Sequence, residues 1–168
     1  MRSRRLPSHA GMRPTTAKVR EALMAILGPA LEGARVLDLF AGTGSLGLAA
    51  LEEGAAEVVF VESDPKSLRV LQEEVGPRGP ILRGRLPAVL ARVVGPFDLV
   101  LADPPYGAPE GPATLAALEA LVRPGGLVVF EHHHKDPYPE RTGALVRYRQ
   151  ERYGETALSF WCREEPGP

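Results

Sequence analysis

Cysteine, asparagine and lysine are scarce in this chain of 168 residues, and each scarcity narrows what the protein can be. Cys162 is the only cysteine, so an internal disulfide is excluded and no paired-cysteine spacing indicates a zinc site. A lone cysteine is typical of a protein that works in a reducing cytoplasm. Asparagine is absent and arginine outnumbers lysine 17 to 3, a bias that heat adaptation and GC-rich coding both produce.

A long apolar segment is also missing. No hydrophobic run approaches the ~20 residues that span a bilayer, and no apolar core of the secretory kind follows the basic first five residues. With 44% hydrophobic and 24% charged residues, the composition is ordinary for a globular protein. We therefore expect one soluble, cytoplasmic domain over residues 14–168, preceded by a basic arm over residues 1–13.

Acidic residues are absent from two stretches, although the net charge of the chain is only −1. Residues 1–20 carry six basic side chains, and residues 75–97 carry four arginines. Segregated positive charge on a nearly neutral domain is what a local phosphate-binding face requires. For the arm alone, a solvated basic tail is the alternative interpretation.

Apolar runs alternate with amphipathic segments through the middle of the chain. The predicted strands are residues 34–40, 57–62, 80–83, 97–102 and 127–132, and the predicted helices are residues 44–53, 65–75, 87–93 and 113–122. A further helix begins after Thr15 or Thr16, either of which can cap it. This alternation predicts an α/β fold, a Rossmann-like and mostly parallel sheet with helices on both faces. Residues 145–153 and 156–162 are predicted to add an antiparallel C-terminal hairpin at one edge.

A glycine loop, residues 42–47, joins the first predicted strand to the helix that follows it. Its glycines occupy the first, third and sixth positions, the spacing of the dinucleotide-binding fingerprint. Glu62 ends the second strand, where such folds bind ribose hydroxyls, and Asp64 is the second candidate for that role. These residues are compatible with NAD as the cofactor. Asp38, just ahead of the loop, favours an ammonium group over a pyrophosphate, so the pattern favours S-adenosylmethionine.

The tetrapeptide Asp103-Pro104-Pro105-Tyr106, here called the prolyl corner, closes the fourth predicted strand. Two prolines of fixed φ make a rigid turn that carries a carboxylate and an aromatic ring. Because ligands bind at the carboxyl ends of strands in open α/β sheets, we expect this corner beside the glycine loop. A carboxylate and a carbonyl can hold the amino group of a nucleobase, while the ring stacks on the base. A stiff turn with no ligand is the alternative.

These motifs resemble those of class I S-adenosylmethionine-dependent methyltransferases, and the prolyl corner resembles the signature of enzymes that modify exocyclic amino groups of nucleobases. Residues 13–16 (Arg-Pro-Thr-Thr), 19–23 and 36–44, in that order, resemble the RsmD-like bacterial enzymes. Members of that family methylate the N2 amine of a guanine in 16S rRNA. The resemblance extends from about residue 4 to the tail, including residues 153–156.

The resemblance implies a role for each matched residue. The corner residues Asp103, Pro104, Pro105 and Tyr106 would carry the reaction. The cofactor would be bound by Asp38, Phe40, Ala41, Gly42, Gly44, Glu62, Ser63 and Leu86. The 16S rRNA, naked or within a partly assembled 30S subunit, would be met by Arg4, Arg5, Arg13, Thr15 and Arg20. The chain departs from the family at residues 83–86, where no Asp or Asn is present to contact adenine.

Three consecutive histidines, residues 132–134, are the remaining conspicuous feature. On a strand only the first and third share a face, and no further ligand is evident, so the pattern favours a loop near the cleft over an RNA contact or a metal site. No metal and no membrane partner are expected. Trp161 lies on the face of the last predicted strand opposite to its apolar face, and it is expected at the surface or at an interface.

Three other functions remain compatible with the sequence alone. They are methylation of the N6 amine of adenine in nucleic acid, hydride transfer with NAD, and RNA binding without catalysis.

Overall fold

The computed structural model describes residues 16–167, and strands alternate with helices as far as residue 133. The strands are β1 Arg35–Leu39, β2 Glu57–Glu62, β3 Ile81–Arg83, β4 Phe97–Ala102, β5 Val122–His133, β6 Arg141–Thr142, β7 Leu145–Tyr153 and β8 Thr156–Arg163. The α-helices are α1 Ala17–Leu27, α2 Ser45–Glu52, α3 Pro65–Val75 and α4 Glu110–Ala116. Short 3-10 turns occupy Gly28–Leu31, Gly76–Arg78, Ala88–Arg92 and Glu119–Leu121.

The eight strands described within residues 16–167 form one sheet in the order β3-β2-β1-β4-β5-β8-β7-β6. The first five strands are parallel, while β8 runs antiparallel to both β5 and β7. The predicted α/β class and the C-terminal antiparallel hairpin are therefore confirmed. The strand order reverses between β1 and β4, and a topological switch of this kind opens a crevice at the carboxyl ends of the two strands.

Helix α1 begins where the sequence places a capping threonine. The Thr16 hydroxyl accepts a hydrogen bond from the Val19 amide at 3.2 Å, which satisfies one of the unpaired donors of the first turn. The buried residues of the helix are Val19, Leu23, Met24 and Leu27, and they belong to an apolar cluster that includes Leu158 and Phe160 of β8. The capping choice that the sequence left open falls on Thr16.

The predicted helix over residues 113–122 is wrong in extent. Helix α4 ends at Ala116, a 3-10 turn follows, and Val122 already pairs with Phe97 as the first residue of β5. Leu115, Leu118 and Val122 are buried, at spacings that suit a helix. The structure buries the same three side chains with a shorter helix, a turn and a longer strand.

Trp161 is not at the surface, contrary to the sequence-based expectation. Its side chain is 0% exposed, and its indole N–H donates to the Pro139 carbonyl at 3.0 Å. The reason is that β8 lies inside the sheet, between β5 and β7, where both of its faces are covered. None of the helices in the described part of the chain is both long and apolar enough to cross a membrane.

Candidate functional site

The glycine loop and the prolyl corner lie side by side at the carboxyl edge of the sheet. Strands β1 and β4 are hydrogen-bonded neighbours in which Leu39 pairs with Ala102. The Asp103 amide also donates to the Leu39 carbonyl at 3.3 Å, which ties the corner to the end of β1. The adjacency that the sequence predicted for the two motifs is confirmed.

The backbone turns sharply between β1 and α2. Phe40, Gly42 and Gly44 have left-handed φ values of 54°, 59° and 90°. Phe40 is the only non-glycine residue with positive φ in the described span, a conformation that costs about 1 kcal/mol or more for an L side chain. The Ala41 amide donates to the Val61 carbonyl at 3.0 Å, which anchors the turn to β2.

The glycines of the loop are required for different reasons. A Cβ at Gly44 would lie 2.7 Å from Leu71 Cδ1, so this glycine allows α3 to pack closely. A Cβ at Gly42 would have no neighbour within 4 Å. The protein itself leaves space beside Gly42, and a ligand can therefore approach the backbone there.

The Glu62 carboxylate connects the glycine loop with the turn after β2. It accepts hydrogen bonds from the amides of Gly42 at 2.7 Å, Ser63 at 2.9 Å and Asp64 at 2.8 Å. A carboxylate offers about four acceptor positions, so a hydroxyl can still be bound. Asp64, the second candidate for that role, instead caps α3 by accepting from the Ser67 amide at 2.9 Å, and this bond lowers the pKa of the Asp64 carboxyl.

Asp38 is a buried carboxyl group directly beneath the loop. Only 1% of its surface is exposed, and it accepts a hydrogen bond from the Gly47 amide at 3.0 Å. The pKa of Asp38 is raised to about 8, mainly by burial and in smaller part by the charges of Asp103 and Glu62, while the hydrogen bond from the Gly47 amide opposes the shift. Three acidic groups thus act on one another at this edge, an arrangement that favours a cationic ligand over a pyrophosphate.

Asp38→Asn is expected to flatten the pH dependence of folding stability. The pKa of Asp38 lies near 8 in the folded protein and near 4 in the unfolded chain. Between about pH 4 and pH 8, the folded protein therefore keeps a proton on Asp38 that the unfolded chain has lost. Stability from Asp38 is complete below about pH 4 and falls by up to ~1.4 kcal/mol per pH unit as pH rises toward 8. Asparagine keeps the acceptor for the Gly47 amide but does not titrate. Denaturant unfolding of both proteins at pH 5, 6, 7 and 8 measures the difference, and parallel curves would contradict the assignment.

Tyr106 is held in place by one residue of β8 and one residue of β5. Its hydroxyl is hydrogen-bonded to the Thr156 hydroxyl at 2.6 Å, and its ring meets the His133 ring edge-on at 5.2 Å. Pro104 is buried and Pro105 is exposed. The corner is therefore supported on one side by β1 and on the other by the beginning of β8.

Residues 136–138, in the loop after β5, support the prolyl corner and were not assigned to the site from the sequence. Tyr138 stacks obliquely on His132 with ring centroids 4.4 Å apart, and its hydroxyl lies so close to Gly111 that no side chain fits there. The Asp136 carboxylate accepts from the Gly107 amide at 3.2 Å. Burial, followed by the charges of Asp136 and Asp103, raises the pKa of Tyr138, so its hydroxyl stays protonated. The glycine at position 111 was the only local signal of this contact.

His132 is a buried structural residue. Its Nδ1–H donates to the His133 carbonyl at 2.7 Å, so Nε2 of the neutral ring accepts from the Ser159 hydroxyl at 2.8 Å. The Ser159 oxygen in turn accepts from the Gln150 side-chain amide at 2.9 Å. Burial lowers the pKa of His132, which keeps the ring neutral. Among residues 16–167, no three His, Cys, Asp or Glu side chains are grouped as metal ligands require.

The remaining predicted site residues are placed as follows. Leu86 is buried in the apolar cluster on the second face of the sheet, against which Phe40 also packs, and Ser63 is exposed after β2. Arg20 is half-buried in α1. Four predicted RNA contacts lie outside the described residues: Arg4, Arg5, Arg13 and Thr15.

Comparison with known proteins gives similarity over nearly the whole chain. Residues 1–162 match the family described as Conserved hypothetical protein 95. The chain is 33% identical over 171 residues to YlbH of Bacillus subtilis, with 95% of this chain and 92% of that protein covered. It is 29% identical over 168 residues to ribosomal RNA small subunit methyltransferase D of Escherichia coli, with 96% and 85% covered. A conserved hypothetical protein of Streptococcus pyogenes has a similar structure, with a TM-score of 0.80, 31% identity, and 87% and 96% coverage.

Proposed function

The chain belongs to the Conserved hypothetical protein 95 family, the family of RsmD-like methyltransferases, and from that membership we propose that it methylates the N2 amine of a guanine in 16S rRNA with S-adenosylmethionine as the donor. The proposal depends most on one observation, the pairing of β1 with β4 that sets the glycine loop beside the prolyl corner. A donor bound at the loop and a base held at the corner would share one crevice.

The residues around the glycine loop fit S-adenosylmethionine. The open space at Gly42 admits a ligand, and Glu62 keeps an acceptor position for a ribose hydroxyl. Asp38, protonated at neutral pH in the free protein, would lose its proton as it pairs with the ammonium of the methionyl group, and Leu86 would pack against the adenine. The other residues proposed to line the cofactor are Phe40, Ala41, Gly44 and Ser63. A pyrophosphate would face three acidic groups here, which disfavours NAD.

The corner residues would position the target amine rather than activate it strongly. When bound, S-adenosylmethionine supplies a methyl group on a sulfonium sulfur, ready for in-line displacement at about 3–3.5 Å. The Asp103 carboxylate and the Pro104 carbonyl accept hydrogen bonds from the two N–H groups of the amine, and these bonds hold its nitrogen pyramidal. That nitrogen becomes acidic only as it gains the methyl group, so Asp103 takes the proton late.

The base would reach this corner only after leaving its stack. Tyr106 would stack on the extruded guanine, because the bond to Thr156 holds the ring in one orientation. The proposed RNA contacts are Arg4, Arg5, Arg13, Thr15 and Arg20. The rRNA substrate, naked or in a partly assembled 30S subunit, places the reaction in the cytoplasm.

Mass spectrometry of the product tests the proposal directly. The protein is incubated with S-adenosylmethionine that carries a deuterated methyl group and with an unmethylated 16S transcript, either free or reconstituted with small-subunit proteins. We expect labelled N2-methylguanosine after digestion to nucleosides. Labelled N6-methyladenosine would show that the enzyme methylates adenine instead. If calorimetry showed that the protein binds NAD but not S-adenosylmethionine, the cofactor assignment would be refuted.

A further inference from the structure

A row of rings and cations leads away from the prolyl corner along the same edge of the sheet. The Tyr106 ring meets His133 at 5.2 Å, and His133 stacks on His134 with centroids 4.7 Å apart and planes at 26°. Arg152 Nη2 lies 3.4 Å from His134 Nε2. These four residues and Lys135, which follows His134, are here called the histidine row.

Hydrogen bonds fix the row before any ligand arrives. The Lys135 amide donates to His133 Nδ1 at 3.1 Å, which sets the orientation of that ring. The Arg152 Nε–H donates to the Gly154 carbonyl at 2.8 Å, and the His134 amide donates to the Glu155 carbonyl at 2.9 Å. The end of β5 and the turn between β7 and β8 therefore form one rigid unit, and the Arg152 side chain has little entropy left to lose on binding.

Within residues 16–167, the cations of the row lack the carboxylate partners that neighbouring arginines have. Three arginines of the C-terminal strands are ion-paired: Arg141 with Glu164, Arg147 with Glu140 and Arg149 with Glu151. Arg152 and Lys135 are exposed, and no carboxylate within residues 16–167 lies at ion-pair distance from either. Two acidic residues are near the row, Asp136 and Glu155, and the Asp136 carboxylate is bound to the Gly107 amide.

We propose that Arg152 and Lys135 bind the RNA phosphates that flank the target guanine, with the His133–His134 stack connecting Arg152 to Tyr106. The inference rests on the proposed function and adds the side on which the RNA strand leaves the crevice. An extruded nucleotide keeps its phosphates at the mouth of the pocket that receives its base. Arg152, fixed two rings away from the ring that stacks on the base, and the exposed Lys135 are placed to neutralise those phosphates.

Arg152→Ala tests the contact. Neutralising one phosphate contributes about one unit to the slope of log K against log salt, so the variant should bind the 16S transcript about 5- to 10-fold more weakly, with a slope smaller by about one. The KM for RNA should rise while kcat stays close to that of the wild type. Affinity for S-adenosylmethionine, measured by calorimetry, should not change. Arg152→Lys keeps the charge and should restore the slope.

Arg149→Ala is the matched control, because it removes an equal charge from the same strand at a residue already paired with Glu151. Equal effects of the two alanine variants would show general attraction only and overturn the proposal. A slope for Arg152→Ala that is unchanged on free transcript and on reconstituted subunits alike would also overturn it. If instead the wild-type protein makes no labelled methylguanosine, the proposed function fails, and the slope comparison still decides whether the row binds RNA.

Discussion

Asp103→Asn is expected to lower the rate of methyl transfer by about 100- to 1,000-fold, the lower part of the range for losing a positioned acid–base group. Asparagine keeps one oxygen that can accept from the substrate amine, but it cannot take up the proton that the nitrogen loses on methylation. Single-turnover methylation of 16S rRNA at saturating S-adenosylmethionine measures the effect. Cofactor affinity should change by less than about threefold, because Asp103 belongs to the corner and not to the loop.

Asp98→Asn is the appropriate control, because it neutralises a carboxylate at the opposite end of the same strand. Asp98 accepts from the Arg35 amide at 2.7 Å and is ion-paired with Arg123, so its loss should lower the melting temperature without changing the transfer rate at saturation. If Asp103→Asn retained more than half of the wild-type rate, the corner would be a structural turn and the proposed chemistry would be wrong.

The relation between the two motifs could be predicted from the sequence because it follows from topology. Alternating strands and helices connect in right-handed units, and that rule brings the ends of the first and fourth strands together. The residues that end these strands, Leu39 and Ala102, are paired in the structure as expected. Short-range patterns were therefore sufficient to place the loop, the corner and Glu62 at one edge.

The supports of the site could not be predicted, because they join residues far apart in the chain. Tyr106 is bound by Thr156, and Trp161 donates to Pro139 in the loop that also carries Tyr138. Periodicity reports which face a residue takes within its own element, but it contains no information about such pairings. The sequence marked Asp38 as a ligand residue, whereas the structure shows that it also holds the Gly47 amide.

Gly47→Ala is expected to destabilise the fold by about 2–3 kcal/mol, the usual cost of overpacking a well-packed core. The new Cβ would lie 2.8 Å from Asp38 Oδ2 and 2.9 Å from Val58 Cγ1, and it would press against the Phe60 ring. Alanine gains about 1 kcal/mol of helix propensity over glycine, which is too little to offset these contacts. Urea unfolding at pH 7 gives the free-energy difference. The S-adenosylmethionine affinity of the folded fraction should also fall, because α2 relieves these contacts by moving away from β1 and β2.

Gly42→Ala separates this packing role from ligand binding. No atom lies within 4 Å of a Cβ at Gly42, so the fold should lose only about 1 kcal/mol, the cost of an L residue at positive φ. Gly33→Ala also places an L residue at positive φ, 71°, with the same open surroundings, and it precedes β1 at the end opposite the loop. If space beside Gly42 serves the cofactor, Gly42→Ala should weaken S-adenosylmethionine binding at least about tenfold, or ~1.4 kcal/mol, while Gly33→Ala leaves it unchanged. Equal affinities for the two variants would place the donor away from the loop. A Gly47→Ala protein as stable as the wild type would contradict the close packing of α2 against Asp38.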